Sequence, residues 1–101
     1  MGQNVALPTV EDFESIVRYV EDVRGFVQAF HPAELCLFKA REERFRYALA
    51  FLVTGDEPPK DGRLTFTDCT WVEEHVKDAR KGIFPEGCAA RFKAARTVFK
   101  T

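Results

Sequence analysis

The sequence predicts an all-α fold, an irregular four-helix bundle in which two long helices form an antiparallel hairpin and two short C-terminal helices follow. Apolar residues recur at three- and four-residue steps through most of the chain. Proline and glycine are concentrated between these segments. Hydrophobic residues make up 46% of the 101 residues, enough for one core, so we expect a single domain over residues 1–101.

The first predicted helix covers about residues 9–30. Thr9 precedes Glu11 and Asp12, an order typical of a helix N-terminus, because the hydroxyl caps free backbone N–H groups and the helix dipole favours acids there. Gly25 weakens this helix by about 1 kcal/mol relative to alanine. Its apolar stripe consists of Phe13, Ile16, Val17, Val20, Val23, Val27 and Phe30.

The second predicted helix covers about residues 32–53, because Pro32 suits a first helical turn. Glu42 falls on its apolar side and is expected to pair with Arg46 one turn later. A strand hairpin over residues 35–53 is the alternative, but its turn would contain good helix formers and no Gly, Asn or Pro. The stripe consists of Leu35, Phe38, Phe45, Leu49 and Leu52.

Residues 54–68 form the predicted connecting loop, whose two prolines and two glycines oppose regular structure. A third helix is predicted over about residues 69–81, capped by Asp68 or Thr67 and ended by Gly82. A fourth is predicted over about residues 86–99, opened by Pro85. The buried face of the fourth helix is expected to contain Cys88, Phe92, Ala95 and Phe99.

Residues 57–68 resemble the calcium-binding loop of an EF-hand at Asp61 and Gly62. The resemblance fails at Pro59, which has no side-chain oxygen, and at Asp68, which is too short for the closing bidentate ligand. We therefore expect no calcium site.

No zinc or catalytic motif is evident. The candidate zinc ligands lack the close spacing of a zinc site: Cys36, Cys69, Cys88, His31 and His75. The only serine, Ser15, is not part of a recognisable motif for a catalytic nucleophile. No glycine-rich phosphate-binding loop occurs either. The sequence predicts no metal, no cofactor and no enzymatic activity.

Charge is unevenly distributed along the chain. Residues 77–101 contain seven Lys or Arg and two Asp or Glu, whereas residues 1–38 contain two and six, within a net charge of −1. The basic residues of the last two helices are candidate contacts to nucleic acid or another anion: Lys77, Arg80, Lys81, Lys93, Arg96 and Lys100. Nucleic-acid binding is the alternative functional hypothesis.

The leading hypothesis is a small non-enzymatic protein-interaction module, an adaptor, an inhibitor or an assembly subunit. Ten phenylalanines exceed what a small core needs, and surplus apolar surface is typical of an interface. The expected partner is another protein or a second copy of the chain. The absence of a secretory pattern, the three unpaired cysteines and the short apolar runs predict a cytoplasmic protein without membrane contact. The candidate contact residues lie off the stripes: Tyr19, Phe26, Leu37 and Phe51.

Overall fold

In the computed structural model, the description covers residues 7–78 and 84–98, with side chains for residues 7–75 and 84–96. Four helices occur there, α1 (Val10–Phe30), α2 (Leu35–Thr54), α3 (Phe66–Asp78) and α4 (Cys88–Val98). Short 3₁₀ turns at Pro32–Glu34 and Lys60–Gly62 precede α2 and α3. These ranges contain no strand, so the predicted all-α class is confirmed, and residues 35–53 are helical throughout.

Helices α1 and α2 pack together as an antiparallel hairpin. Arg46 on α2 donates a hydrogen bond to Glu42 at 3.0 Å, as predicted, and also pairs with Glu21 on α1. On the other side of Glu42, Arg24 Nε lies 2.8 Å from Oε1, although the angle is not that of a hydrogen bond. Glu42 is buried, and its two cationic neighbours offset the cost of placing a carboxylate between the helices.

Helix α3 begins earlier than predicted, at Phe66 instead of about residue 69. Thr65 is its cap: the Thr65 hydroxyl accepts from Asp68 N at 3.1 Å, while Thr65 N donates to Asp68 Oδ2 at 3.0 Å. This reciprocal arrangement is a capping box. The predicted caps Asp68 and Thr67 therefore lie inside the first turn. Thr65, Thr67 and Asp68 are all residue types that cap helices well. The two hydrogen bonds between Thr65 and Asp68 identify Thr65 as the cap that the structure uses.

Helix α4 begins at Cys88, two residues after the predicted start. Cys88 N donates to Pro85 O at 3.1 Å, and Gly87, with φ of +82°, provides the left-handed turn before the helix. The predicted ends of the last two helices, at about residues 81 and 99, lie outside the described residues.

Three phenylalanines from three helices form the centre of the core. Phe13 on α1 contacts Phe92 on α4 edge to face, with ring centroids 5.2 Å apart. Phe45 on α2 lies 6.5 Å from Phe13 and 6.4 Å from Phe92. All three are at least 97% buried. Most of the predicted α1 stripe is buried as well, but Phe30 at its end is 67% exposed because the hairpin turns there without a covering element.

Among the described residues, no helix combines the length and the low charge that crossing a bilayer requires.

Candidate functional site

An apolar groove lies at the open end of the α1–α2 hairpin, where the N-terminal segment meets the end of α2. We call it the terminal groove. It encloses about 360 Å³. Its walls come from the segment before α1, from the last turns of α2 and from the loop before α3, and the apolar side chains that line it include Leu7, Phe13, Phe51, Leu52, Pro58 and Leu64. Glu57 and Arg63 supply one charge of each sign among the lining residues.

The loop before α3, which forms one wall of the groove, lies with its backbone close against the side chain of Tyr47 on α2. A Cβ atom at Gly62 would lie 2.7 Å from Cδ2 of the Tyr47 ring on α2, closer than Cβ atoms approach other heavy atoms in proteins. Only glycine at this position lets the 3₁₀ turn rest on the Tyr47 ring. Leu64, two residues later, is buried and anchors the loop in the core. The wall therefore has a fixed position relative to α2.

The last turn of α2 leaves three consecutive apolar side chains exposed. Phe51 is 46% exposed, Leu52 43% and Val53 61%. Phe51 and Leu52 line the groove, whereas Val53 does not. Leu52 was predicted on the buried stripe, but its neighbours here enclose a groove and leave it half uncovered. Apolar residues on every side of a helix end indicate missing packing partners.

Three of the four predicted contact residues are exposed. Phe26 is 55% exposed and Leu37 77%, and Phe51 belongs to the groove. Tyr19 differs because it is partly buried in an aromatic cluster. Its ring centroid lies 5.3 Å from that of Phe84, 6.1 Å from that of Trp71 and 6.2 Å from that of His75.

The predicted basic face is partly neutralised within the fold. Arg96 NH1 donates to Glu73 on α3 at 2.9 Å, and its guanidinium carbon lies 5.5 Å from the centre of the Phe66 ring. Lys93 is exposed. The side chains of Lys77, Arg80, Lys81 and Lys100 lie outside the described residues.

The first of two buried aspartate centres joins α1 to α4. Asp12 is fully buried, and Arg91 donates to both of its carboxylate oxygens, at 2.6 and 2.8 Å. Thr9 N donates a further hydrogen bond at 2.9 Å. Burial alone raises the pKa of Asp12, but the hydrogen bonds from Arg91 and Thr9 and the charge of Arg91 outweigh it, so the pKa lies below its ordinary value.

The second buried aspartate centre joins α3 to α2. Asp68 is fully buried and accepts two hydrogen bonds from Arg44, at 2.6 and 2.8 Å, and one from Arg41 at 3.1 Å. Burial again raises the pKa of Asp68, and the bonds from Arg44, Thr65 and Arg41 outweigh that effect and lower it. Both aspartates are paired with cations and closed to solvent. They stabilise the bundle and offer no proton to a substrate.

Two of the three cysteines adjoin these centres. Burial, followed by the negative charge of Asp68, raises the pKa of Cys69 to about 12. Burial and the charge of Asp12 raise the pKa of Cys88 to about 12 as well. Such thiols are not nucleophilic at neutral pH. Cys36 is free and exposed.

A second cavity, of about 670 Å³, runs along the polar side of α1 and is lined by charged and aromatic side chains. The described lining includes Glu11, Arg18 and Asp22, with Tyr19 and Phe84 as the aromatic walls. Ser15, the serine considered as a nucleophile, also borders it. The lining contains no imidazole or thiol in the part of the chain that the structure describes. No group of three His, Cys, Asp or Glu able to hold a metal occurs there either.

Comparison with protein-family models, with curated proteins and with solved structures finds no match to this chain.

Sequence reasoning found Phe51 but missed the groove to which it belongs. Leu7 and Pro58 lie in segments without periodicity, and Leu64 lies in the predicted loop, so no pattern connects them with α2. The available signal was the apolar second half of α2, which indicates neighbours on more than one side. That signal locates the helix end but not the concave surface beside it.

Proposed function

We propose that this chain is a non-enzymatic protein-interaction module that binds an apolar segment of a protein partner in the terminal groove. The observation that carries the proposal is the groove itself, a concave apolar surface in which Phe51 and Leu52 of the last turn of α2 remain 46% and 43% exposed. Burying such surface releases about 25 cal/mol per Å². A contiguous exposed apolar patch next to a groove is typical of a binding site.

The size and lining of the groove support an anchored contact. Its 360 Å³ lies near the lower end of the roughly 300–1,000 Å³ found for ligand pockets, which suits one or two apolar side chains. Interface energy is commonly concentrated in a few apolar anchors surrounded by polar groups. Glu57 and Arg63 are exposed and provide such polar groups, one of each charge.

The buried ionisable groups also favour a binding role. Asp12 and Asp68 have displaced pKa values, a property common at catalytic sites, but each is paired with arginine and enclosed. The thiols of Cys69 and Cys88 are held protonated. These groups therefore support the interior of the bundle in this proposal and take no part in a reaction.

The nucleic-acid alternative has less support from the described residues. A phosphate contact by Arg96 would have to compete with Glu73, which already holds its guanidinium at 2.9 Å. A protein that contacts phosphates is also expected to bind more weakly as salt rises. Binding in the terminal groove is expected to change little with salt.

The test is affinity capture from the native host with a matched pair of variants. Phe51→Asp places a charge in the groove, whereas Val53→Asp places the same charge on the same helical turn outside it. We expect wild type and Val53→Asp to retain the same protein partner and Phe51→Asp to lose it. Circular dichroism and thermal unfolding of each variant confirm that the fold is kept.

Two results would contradict the proposal. Capture of the same proteins by Phe51→Asp and wild type would show that the groove is not the contact surface. Retention of nucleic acid alone, lost steeply as salt rises, would favour the alternative.

A further inference from the structure

The cavity along the polar side of α1 contains three charges that no other described residue neutralises. We call it the side cavity, and its described lining consists of Glu11, Ser15, Arg18, Tyr19, Asp22, Phe84 and Pro85. Glu11, Arg18 and Asp22 are exposed and take part in none of the ion pairs of the described residues. The side cavity shares no described lining residue with the terminal groove, so it is a separate site.

The charged groups of the side cavity lie on one face of α1. At about 100° per residue, positions 11, 15, 18 and 22 fall within about 60° of one another around the helix. Asp22 lies one turn after Arg18, a rise of about 6 Å, and Glu11 lies about 10.5 Å from Arg18 in the other direction. The face therefore presents one guanidinium between two carboxylates, and the nearer carboxylate is that of Asp22.

Apolar side chains form another part of the lining. Phe84 and Pro85 precede α4, and the Phe84 ring lies 5.3 Å from the ring of Tyr19 on α1. The volume of about 670 Å³ lies well inside the range of roughly 300–1,000 Å³ found for ligand pockets. The side cavity thus offers apolar surface beside its charges and room for a ligand much larger than a single ion.

Ser15 is the residue of the side cavity that indicates a ligand. It is 8% exposed, and its hydroxyl makes no hydrogen bond to another described residue, whereas the helical Thr54 and Thr70 each donate to the carbonyl one turn back. The Ser15 oxygen is still accessible, because the one fully enclosed side-chain atom without a partner among the described residues is Arg24 Nε. Since a buried hydroxyl normally has a hydrogen-bond partner, we expect that partner to come from the cavity that Ser15 borders.

The three charges limit the class of ligand. A ligand with positive charge alone would meet Arg18, and one with negative charge alone would meet Glu11 and Asp22. An uncharged apolar ligand would take these groups out of water and offer them no partner in return. A ligand that carries both charges and an apolar group is the class that suits every part of the lining.

We propose that the side cavity binds a zwitterionic ligand with an apolar side chain, of the size of a short peptide with free termini. Arg18 and the Ser15 hydroxyl donate hydrogen bonds to its carboxylate, and Asp22 accepts from its ammonium group. The apolar side chain rests against Tyr19 and Phe84. The ends of an extended dipeptide are about 7 Å apart, close to the rise of about 6 Å from Arg18 to Asp22.

Titration with alanyl-phenylalanine and with two blocked forms of it tests the proposal. The C-terminal amide lacks the carboxylate, and the N-acetyl form lacks the ammonium group. Trp71 is the only tryptophan and contacts Tyr19, so its fluorescence reports binding, and isothermal titration calorimetry measures the same affinity independently. We expect alanyl-phenylalanine to bind with a Kd of roughly 0.1–1 mM. Each blocked form should bind about three- to fivefold more weakly.

Single substitutions assign each contact. Arg18→Gln should weaken alanyl-phenylalanine about three- to fivefold and leave the amide unchanged, because the amide has no carboxylate to lose. Asp22→Asn should weaken it equally and leave the N-acetyl form unchanged. Ser15→Ala should behave like Arg18→Gln, since both act on the carboxylate. Glu14→Gln, the control, removes an exposed carboxylate of the same helix outside the side cavity and should bind like wild type.

Three outcomes would overturn the proposal. The first is no saturable signal by either method up to about 10 mM, ten times the weakest expected Kd. The second is equal affinity for all three forms of the dipeptide. The third is a set of variants that weaken all three forms alike while circular dichroism shows an intact helical fold.

Discussion

A buried aspartate lies in the first turn of α1 and another in the first turn of α3, and the two are paired with different numbers of cations. At the start of α1 and again at the start of α3, a threonine and an aspartate three residues later form a capping box, and each aspartate is fully buried. Among the described residues, the one cation that pairs with Asp12 is Arg91, 79 positions away in the sequence. Asp68 is held by Arg41 and Arg44, which are neighbours on α2.

The difference concerns what happens when one partner is lost. A buried carboxylate without its cation destabilises a protein strongly, because the desolvation cost remains while the attraction disappears. Asp68 has a second arginine in place, but Asp12 has no second arginine among its described neighbours. The link between the first and last helices is therefore the more vulnerable of the two.

The largest expected effect is that of Arg91→Leu. It leaves Asp12 buried and unpaired, and we expect a loss of about 3–5 kcal/mol in the free energy of unfolding, measured in urea. The control is Arg96→Leu, which breaks a partly exposed pair with Glu73 and should cost about 1 kcal/mol or less. Cys88 lies next to this centre and is buried, so it reacts only when the structure opens. Because Arg91→Leu is less stable, alkylation of Cys88 should become faster in this variant. Equal losses in both variants would remove the distinction between buried and surface pairs.

A smaller effect is expected for Arg44→Leu. Asp68 loses its two shortest hydrogen bonds from arginine but keeps that of Arg41, so the expected loss is about 1.5–3 kcal/mol. The double variant Arg41→Leu/Arg44→Leu should then approach the loss of Arg91→Leu. The comparison of the two centres fails if Arg44→Leu alone costs as much as Arg91→Leu.

The next prediction concerns how the loss of unfolding free energy in Arg91→Leu depends on pH. In wild type the folded pKa of Asp12 lies below its ordinary value, so its contribution is complete above about pH 4 and disappears as pH falls through the folded pKa. In Arg91→Leu burial dominates and raises that pKa. The loss should therefore be largest at neutral pH and shrink towards pH 3, by about 1.4 kcal/mol for each unit by which the pKa moves.

Urea titrations at several pH values measure this dependence. Arg96→Leu serves as the control, because its whole loss is expected to be about 1 kcal/mol or less and so cannot change with pH by more than that amount. A constant difference between wild type and Arg91→Leu over the same range would mean that Asp12 does not titrate as described.

The smallest effects are expected at the two caps. Thr9→Ala and Thr65→Ala each remove the hydroxyl that accepts from an aspartate N–H, and each should cost about 1 kcal/mol in chemical denaturation. The control is Thr70→Ala, inside α3, whose hydroxyl only donates to Phe66 O and caps nothing. The two cap losses should be alike, since the boxes have the same geometry. A much larger loss at Thr9 would show that its hydroxyl also holds Asp12 in place for Arg91.

The helices were predictable because their signals are local. The apolar stripe of α1 and its cap at Thr9 lie within consecutive residues, and the structure has both. The start of α3 was placed three residues late because Thr65, Thr67 and Asp68 are all good caps. Glu42 was expected to pair with Arg46, four residues away, but nothing local indicated Arg24 on the facing helix.

The sequence by itself determined the helical class, the hairpin and the surplus of phenylalanine. The tertiary structure decided where that surplus is exposed. Leu7, Phe51 and Leu64 form one groove only because the chain returns twice to the same end of the hairpin. It also decided that Asp12 meets Arg91 and Asp68 meets Arg44. Periodicity and capping act between residues a few positions apart, whereas these pairings depend on how the folded helices lie against each other.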